Sequence, residues 1–173
     1  MNITLRALTK DDIKEHFESG EFYLDDFFKN YASQNQFKHY IGSTYVAAID
    51  NIIIGFITIS ATSIKIDEYE KMSQKLPKYP LPILRISRLA VDKRYQKRGI
   101  GKSLLKLALK LSIEQKEKFG CIGIVVDAKE NAINFYTQFG FEAIEIKKGM
   151  IETRPFFTTM YLSMNTIVKC KNS

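Results

Sequence analysis

The segment that constrains the fold most runs from residue 83 to residue 119, where an alternating stretch, a basic loop and a helical pattern follow one another. The stretch ILRISRLAVD mixes apolar and polar residues as a partly buried strand does. After the loop QKRGIG, apolar residues recur at helical spacing until Gly120, a residue type that suits the position after a helix end. A strand that passes through a short glycine loop into a long helix predicts a layered α/β domain. The expected core stripe of this helix consists of Leu104, Leu105, Ala108, Leu111 and Ile113.

The sequence before this segment predicts one strand, two helices and a hairpin. Residues 3–17 indicate a short strand and then a helix capped by Thr9, with Asp12 in its first turn. Residues 22–40 carry aromatic and apolar residues at helical spacing, which predicts a second helix. Two β-branched runs, 44–50 and 52–64, flank the turn pair Asp50-Asn51 and predict an antiparallel hairpin. Residues 67–82 hold charges and prolines without a period, so we expect a loop there.

The sequence after Gly120 predicts a strand, a short helix and two further strands. Residues 121–128 are typical of a buried strand, and residues 131–139 of a short helix capped by Asn131 or Asp127. Residues 141–146 and 156–164 complete the sheet. With no repeat and no linker, the order of elements predicts one domain over residues 1–173, built on a mixed α/β sheet, with a C-terminal tail at about 165–173.

The composition limits the compartment and the cofactor class. Of the 173 residues, 45% are hydrophobic, yet the longest apolar runs are too short for a membrane span, and the N-terminus lacks an apolar signal segment. We therefore expect a cytoplasmic protein without a membrane partner. Only two cysteines occur, and His16 and His39 lie far from both in the sequence, which argues against a disulfide framework and against a metal site.

The basic loop between the strand and the helix points to an anionic ligand. The chain carries a formal charge of +7, and part of the surplus lies around Gly99 and Gly101, where helix N–H groups have no intrahelical partner. Such amides bind phosphate well, and a pyrophosphate is the natural candidate. Neither GxxxxGK[ST] nor GxGxxG is present, which disfavours ATP and NAD. The alternative is a tight turn whose glycines serve packing and whose basic residues, Arg94, Lys97, Arg98 and Lys102, serve solubility.

The motifs resemble those of the GNAT-fold N-acetyltransferases. RYQKRGIG is similar to their Q/R-x-x-G-x-G/A loop, which holds the pyrophosphate of acetyl-coenzyme A, and RLAVD and NAINFYTQFGF are similar to the strand before that loop and a later helix and strand. These motifs span roughly residues 83–143, the expected acetyl-CoA-binding core. FYLDDFFKNYASQNQF and YPLPILRISRLAVDKRYQKRGIG further resemble the toxin branch of TacT and AtaT, over about residues 22–157.

The resemblance implies a fold and a cofactor site. The fold would be a mixed, mostly antiparallel sheet flanked by helices, and the cofactor would be acetyl-CoA. Tyr136 matches the family's general-acid tyrosine, which protonates the leaving thiolate, although its aromatic neighbours are equally typical of a core residue. The matching cofactor-binding residues are Leu89, Ala90, Val91, Gln96, Lys97, Arg98, Gly99, Ile100, Gly101, Lys102, Ser103, Asn131 and Asn134.

The resemblance also implies an acceptor and partners. Toxins of this branch acetylate the α-amine of aminoacyl-tRNA and are neutralised by a ribbon-helix-helix antitoxin, and the family suggests a homodimer. We expect Arg85, Arg88, Lys106 and Lys110 to contact tRNA phosphates, while a solvated helix face would explain the lysines equally well. Two alternatives stay open: an acetyltransferase for a small amine or a protein amine, and a non-catalytic acyl-CoA-binding module.

Two departures from the family pattern bear on the chemistry. The strand ILRISRLAV has no acidic residue where many relatives keep a glutamate base, and the α-amine of an aminoacyl ester, whose pKa is low, needs none. Lys97 stands where the toxin branch usually has glycine. This substitution adds a charge and removes a glycine from the loop.

Overall fold

The computed structural model describes residues 1–72, 75–147 and 156–173. Within them seven strands form one sheet in the order β1-β2-β3-β4-β5-β7-β6. The pairs β1–β2, β2–β3, β5–β7 and β6–β7 are antiparallel. This is the mixed, mostly antiparallel sheet that the sequence predicts. The strands are β1 (Thr4–Ala7), β2 (Ser43–Ile49), β3 (Ile52–Ile64), β4 (Leu81–Val91), β5 (Gly123–Ala128), β6 (Glu142–Ala143) and β7 (Thr158–Ser163).

The helices lie between these strands in the chain and at its C-terminal end. They are α1 (Phe22–Asp26), α2 (Ala32–Phe37), α3 (Ile100–Phe119), α4 (Ile133–Thr137) and α5 (Met164–Asn172). A π-helical segment, Phe27–Tyr31, joins α1 directly to α2, so the predicted second helix is present with one wider turn inside it. Short 3-10 segments occupy Ile66–Glu68, Lys93–Tyr95 and Glu130–Ala132. No described helix is long and apolar enough to cross a membrane.

The chain divides into two compact units. The first comprises Met1–Ser60 and Ile86–Ala108, and the second comprises Ala61–Arg85 and Leu109–Ser173. In the first unit, Phe28 stacks on Phe56 with ring centroids 4.4 Å apart, and Phe17 meets both rings edge-on. The second unit has its own apolar cluster. Its buried members are Ile64, Ile66, Met72, Leu81, Ile83, Val125 and Ile144.

The predicted hairpin is confirmed, and its turn has the expected chemistry. Strands β2 and β3 pair from Ser43–Ile59 to Ile49–Ile52. Asp50 and Asn51 both have positive φ, at 47° and 66°. Two successive left-handed residues form the turn that follows the natural twist of a hairpin, and Asp and Asn tolerate that conformation better than most residues.

The helix predicted after Thr9 is wrong. Only isolated turns occur between residues 8 and 20, because Asp12 is used to close a turn rather than to begin a helix. Its carboxylate accepts the Thr9 N–H at 2.7 Å and both terminal nitrogens of Arg6 on β1, at 2.7 and 2.8 Å. The chain that follows turns at residues 15–16 and brings Phe17 into the core, where it is fully buried.

Helix α3 is confirmed, but its buried face differs at the C-terminal end. Leu104, Leu105 and Ala108 are fully buried as predicted, whereas Leu111 and Ile113 are only half-buried. Two polar residues take their place. Ser112 donates to the Leu109 carbonyl at 2.7 Å and Gln115 to the Gly120 carbonyl at 3.2 Å, so both polar groups are satisfied inside the protein. Gly120 ends the helix with φ of 98°, as predicted.

Three further predictions are corrected in the second unit. The expected tail is helix α5, which Ser163 caps by accepting the Thr166 N–H and which buries Met164 and Ile167. The strand predicted over 141–146 is reduced to β6. In the loop predicted over 67–82, residues 73–74 lie outside the described residues, and β4 already begins at Leu81. Residues 148–155, part of the segment that resembles the toxin branch, also lie outside them.

Candidate active site

The basic loop forms a set of unpaired amides at the start of a long helix. Helix α3 begins at Ile100, and its first intrahelical hydrogen bond is donated by the Ser103 N–H to the Gly99 carbonyl, at 3.0 Å. The N–H groups of Ile100, Gly101 and Lys102 precede that bond and have no acceptor within the helix. The positive end of a 20-residue helix dipole adds to them. The arrangement is chemically suited to a phosphate group.

Two residues before the helix have left-handed backbone conformations. Gly99 has φ of 83° and Lys97 has φ of 61°. A side chain at Gly99 would meet no atom within 4 Å, so the backbone conformation, not crowding, is what calls for glycine. Lys97 therefore adopts the conformation that a glycine would take there, at a cost of about 1–2 kcal/mol. The left-handed turn therefore forms with lysine at this position.

Asp92 fixes the beginning of the loop, and sequence reasoning did not select it. Its side chain is fully buried and accepts four hydrogen bonds: from the Glu18 and Arg94 N–H groups and from two nitrogens of the Arg94 guanidinium, at 2.8–3.1 Å. Burial alone would raise the pKa of Asp92, but the bonds from Arg94 and the backbone outweigh it and lower the pKa to about 2. The available signal was its position in RLAVD, directly before the loop.

A segment near the N-terminus holds the loop from the other side. The Lys93 N–H donates to the Glu18 carbonyl at 2.7 Å, and the side chains of Lys93 and Glu18 form an ion pair. The Gln96 amide donates to the Ser19 carbonyl at 2.8 Å and to the Val91 carbonyl at 3.0 Å. Gln96, predicted as a cofactor contact, thus uses its side chain to position the loop.

The basic residues of the loop differ in how available they are. Arg94 is bound to Asp92, so its charge is largely compensated. Arg98 lies over the Tyr95 ring at 5.4 Å from the centroid, and Lys97 and Lys102 are exposed. Lys97, Arg98 and Lys102 are therefore the cations that can meet an anion here.

The end of β4 and the first turn of α3 complete this part of the site. Leu89 and Val91 are half-buried, while Ala90 is buried in the first unit's core. Ile100 is buried, and the Ser103 hydroxyl donates back to the Gly99 carbonyl at 3.3 Å. An extended backbone whose side chains are only half-buried is the kind of edge along which an elongated ligand can pair.

Tyr136 lies in the second unit, on helix α4. Its side chain is 5% exposed, and its ring meets those of Phe135 and Phe141 edge-on at 5.1 and 5.4 Å. Burial raises the pKa of Tyr136 above its ordinary value of 10.0. The phenol therefore keeps its proton at neutral pH. Tyr136 is a packed aromatic residue, as the alternative interpretation holds, and its phenol is protonated at neutral pH.

The asparagines near α4 are exposed, and the predicted caps are wrong. Asn131 lies inside the 3-10 segment Glu130–Ala132, and the cap position of α4 is held by Ala132. Asp127 belongs to β5, where it takes part in an ion pair. Asn131 and Asn134 have exposed side chains, which leaves both amides accessible to a ligand.

The four predicted acceptor-binding residues fall into two groups. Arg85 pairs with Asp127 at 2.6 Å, and Asp127 also accepts the Thr159 hydroxyl. Arg88 lies over the Phe27 ring, with Cζ 3.8 Å from the centroid. Lys106 and Lys110 are exposed at four-residue spacing on α3, in line with Lys102. Among the described residues, no group of three His, Cys, Asp or Glu side chains could hold a metal ion.

Comparison with known proteins shows what the chain is similar to. Residues 6–160 match the acetyltransferase (GNAT) domain family. A tRNA-acetylating toxin of Mycobacterium tuberculosis is 32% identical over 141 residues, which cover 79% of this chain and 82% of that protein.

Solved structures share the fold. The toxin AtaT in complex with acetyl-methionyl-tRNAfMet has a TM-score of 0.83 at 21% identity, with 98% of this chain and 99% of that chain covered. A tyrosine-to-phenylalanine mutant of AtaT, bound to the C-terminus of the antitoxin AtaR and to acetyl-CoA, has a TM-score of 0.78 at 20% identity, with both chains covered completely. At these identities the structural likeness establishes the fold.

Proposed function

The chain belongs to the GNAT acetyltransferase family, and from this membership we propose that it acetylates the α-amine of aminoacyl-tRNA and thereby blocks translation. As a member of the family it is an acetyl-CoA-dependent N-acetyltransferase. The observation that carries the choice of acceptor is the 32% identity, over most of both chains, to a tRNA-acetylating toxin. The basic surplus of the chain favours the same kind of acceptor, since a polyanion is attracted to it.

The residues present fit acetyl-CoA. The amides that open α3, with the left-handed turns at Lys97 and Gly99, form a concave set of donors for a pyrophosphate. Leu89, Ala90 and Val91 offer backbone groups to an extended arm. The remaining contacts in this proposal come from Gln96, Arg98, Ile100, Gly101, Lys102, Ser103, Asn131 and Asn134.

The chemistry requires a proton donor, and Tyr136 can act as one. When bound, acetyl-CoA supplies an acetyl thioester. The Tyr136 hydroxyl is protonated at neutral pH and can give that proton to the departing sulfur, and the proton that the amine loses on forming the amide restores the phenol. The packing of the ring against Phe135 and Phe141 keeps the hydroxyl in one place.

The amine to be acetylated needs no strong base in this proposal. Strand β4 carries no acidic residue, and the nearby Asp92 is buried and fully engaged by Arg94 and two backbone amides. An amine next to an ester is less basic than an ordinary amine, so a larger share of it is unprotonated at neutral pH. An aminoacyl ester is therefore the acceptor class that suits the chain's lack of a base on β4.

The acceptor's phosphates would meet basic side chains of β4 and α3. Lys106 and Lys110 are exposed and can each take part in counterion release. The Arg88 guanidinium, 3.8 Å from the centre of the Phe27 ring, would add a positive charge on β4. Arg85 would act mainly through its ion pair with Asp127, so we expect it to contribute less than the lysines do.

The proposal extends to the assembly. We propose a cytoplasmic protein in which residues 1–173 act as one catalytic domain that forms a homodimer. Because the AtaT structure with AtaR is a toxin bound to its antitoxin, we also propose that a ribbon-helix-helix antitoxin restrains this chain.

The test is a transfer of label from radiolabelled acetyl-CoA to a panel of acceptors. The panel contains charged tRNA, the same tRNA after deacylation, a polyamine and a peptide. Label on charged tRNA alone is the expected result. Label on the polyamine or the peptide would move the acceptor to another amine, and tight acetyl-CoA binding without transfer to any acceptor would indicate a sensor.

A further inference from the structure

Two aromatic rings stand exposed at the start of helix α1. Phe22 is 74% exposed and Tyr23 is 77% exposed, although the chain buries most of its other large apolar side chains. Their rings touch edge-on, with centroids 5.7 Å apart and planes at 73°. Two adjoining exposed rings present a larger continuous apolar surface to water than a single exposed ring does, and such a surface suits a ligand with an aromatic face.

Two hydrogen bonds hold the turn that precedes this aromatic pair. The Ser19 N–H donates to the Asp25 carboxylate at 2.8 Å, and the Glu21 N–H donates to the Ser19 hydroxyl at 3.1 Å. These two bonds close the turn that leads into α1. The rings are thus carried by an ordered helix start rather than by a loose loop.

The pair is also tied to the proposed acetyl-CoA loop. The Ser19 carbonyl accepts the Gln96 amide at 2.8 Å. Phe22 is three residues from Ser19, so its backbone lies within roughly 11 Å of that bond. A molecule that sits on the pair therefore has one part near the loop that would hold the acetyl donor.

From these contacts we propose that Phe22 and Tyr23 form a stacking platform for a nucleobase in the single-stranded end of the acceptor RNA. This inference rests on the proposed function. Aminoacyl-tRNA carries its amino acid on unpaired nucleotides, and unpaired bases are recognised by stacking on aromatic side chains. Because Glu21, Asp25 and Asp26 adjoin the rings in the chain, we expect the phosphates of that strand to face the exposed cations of the loop, Lys97, Arg98 and Lys102, rather than the rings. The rings bind the base, and exposed cations attract the phosphates.

The experiment uses three variants of the whole chain. The first replaces both rings by apolar groups, Phe22→Leu with Tyr23→Leu. The second, Phe22→Tyr with Tyr23→Phe, exchanges the two residues and keeps both aromatic faces. The third, Phe119→Leu, removes an exposed ring at the far end of α3, where Phe119 is 72% exposed. Because all the altered side chains are exposed, we expect each variant to melt close to the unaltered protein.

The main readout is binding of an RNA hairpin that carries no amino acid. Its single-stranded end contains 2-aminopurine, a base whose fluorescence falls when it stacks. For the double leucine variant we expect the quenching to disappear and the affinity to fall about five- to hundredfold, the effect of losing one stacked base. The exchange variant and Phe119→Leu should bind as the unaltered protein does. The KM for charged tRNA should rise with the loss of binding, while kcat and acetyl-CoA affinity stay unchanged.

Several results would overturn the platform. Retained quenching and affinity in the double leucine variant would do so, as would an equal loss in Phe119→Leu. Weaker acetyl-CoA binding would place the cofactor's own adenine on the rings instead. Lost dimerisation or antitoxin binding with an unchanged RNA affinity would assign them to a protein interface. Since the hairpin carries no amino acid, it cannot be acetylated. Its binding therefore tests the platform separately from the proposed acetylation of aminoacyl-tRNA.

Discussion

Replacement of Asp92 by asparagine should loosen the loop at residues 96–101, which we propose binds acetyl-CoA. The change keeps the size of the side chain but removes its charge and turns one acceptor oxygen into a donor. Four donors from Glu18 and Arg94 then face a group that can satisfy only part of them. Because the carboxylate is fully buried, water cannot take its place as acceptor for the Glu18 and Arg94 backbone N–H groups, whereas the half-exposed Arg94 guanidinium can turn to solvent.

The magnitude follows from the pKa of Asp92. Its pKa is lowered from 3.8 to about 2, which corresponds to about 2 kcal/mol of stability at neutral pH. Because the pKa is lower in the folded state, this contribution is complete above about pH 4 and disappears as the pH falls towards 2. Donors left without an acceptor raise the expected loss in Asp92→Asn to about 2–4 kcal/mol, or a melting temperature about 5–15 °C lower.

The assay combines thermal melting with calorimetric titration of acetyl-CoA. We expect Asp92→Asn to melt lower and to bind acetyl-CoA more weakly, because the amides of the loop are no longer held in place. Asp12→Asn is the matched control, since Asp12 is also a largely buried carboxylate held by an arginine, in a turn outside the loop. It should lower stability and leave acetyl-CoA affinity unchanged. An Asp92→Asn protein that melts and binds like the unaltered chain would refute the reasoning.

Three further substitutions test the loop and the proton donor. Lys97→Gly should raise the stability by about 0.5–1 kcal/mol, because relief of the left-handed strain exceeds the entropic cost of glycine, and thermal melting would show it. Gly99→Asp should weaken acetyl-CoA binding about tenfold or more, measured by calorimetry, because it places a carboxylate among the amides that would bind the pyrophosphate. Tyr136→Phe should lower kcat while acetyl-CoA affinity and the packing of the ring persist, which steady-state kinetics and calorimetry would separate.

Each of these substitutions has a matched control or a contradicting result. Lys71, with φ of 63°, shares the backbone conformation of Lys97, so Lys71→Gly should raise stability without any effect on acetyl-CoA. Gly120, with φ of 98° at the other end of α3, is the matched position for Gly99, and Gly120→Asp should lower stability without any effect on acetyl-CoA affinity. A lower melting temperature for Lys97→Gly, unaltered acetyl-CoA affinity in Gly99→Asp, or unchanged turnover in Tyr136→Phe would contradict the respective argument.

Local patterns predicted the elements whose causes are local. The Asp50-Asn51 turn could be predicted because both residues tolerate positive φ and lie between two β-branched runs. Helix α3 could be predicted from its period and from Gly120. The helix expected after Thr9 fails because Asp12 finds a stronger partner in Arg6, six residues earlier, than in a helix start.

Features that depend on tertiary contacts could not be predicted in the same way. Ser112 and Gln115 are buried in α3 because each satisfies its polar group on a nearby carbonyl, which the hydrophobic period does not reveal. The loop's charge and glycines indicated an anion site, yet the role of Asp92 depends on Glu18, 74 residues away in the chain. The amount of free charge was also overestimated, since Arg85 and Arg94 turn out to be paired with Asp127 and Asp92.

Mass spectrometry of the aminoacylated end of tRNA identifies the group that the protein acetylates. Aminoacylated tRNA is incubated with the protein and acetyl-CoA and is then digested with ribonuclease. The mass of the released aminoacyl-adenosine is measured, and the ion is fragmented. We expect its mass to rise by one acetyl group, fragmentation to place this group on the α-amine, and Tyr136→Phe to slow its appearance. An aminoacyl-adenosine of unaltered mass, from a protein that binds acetyl-CoA and acetylates another amine, would contradict this expectation.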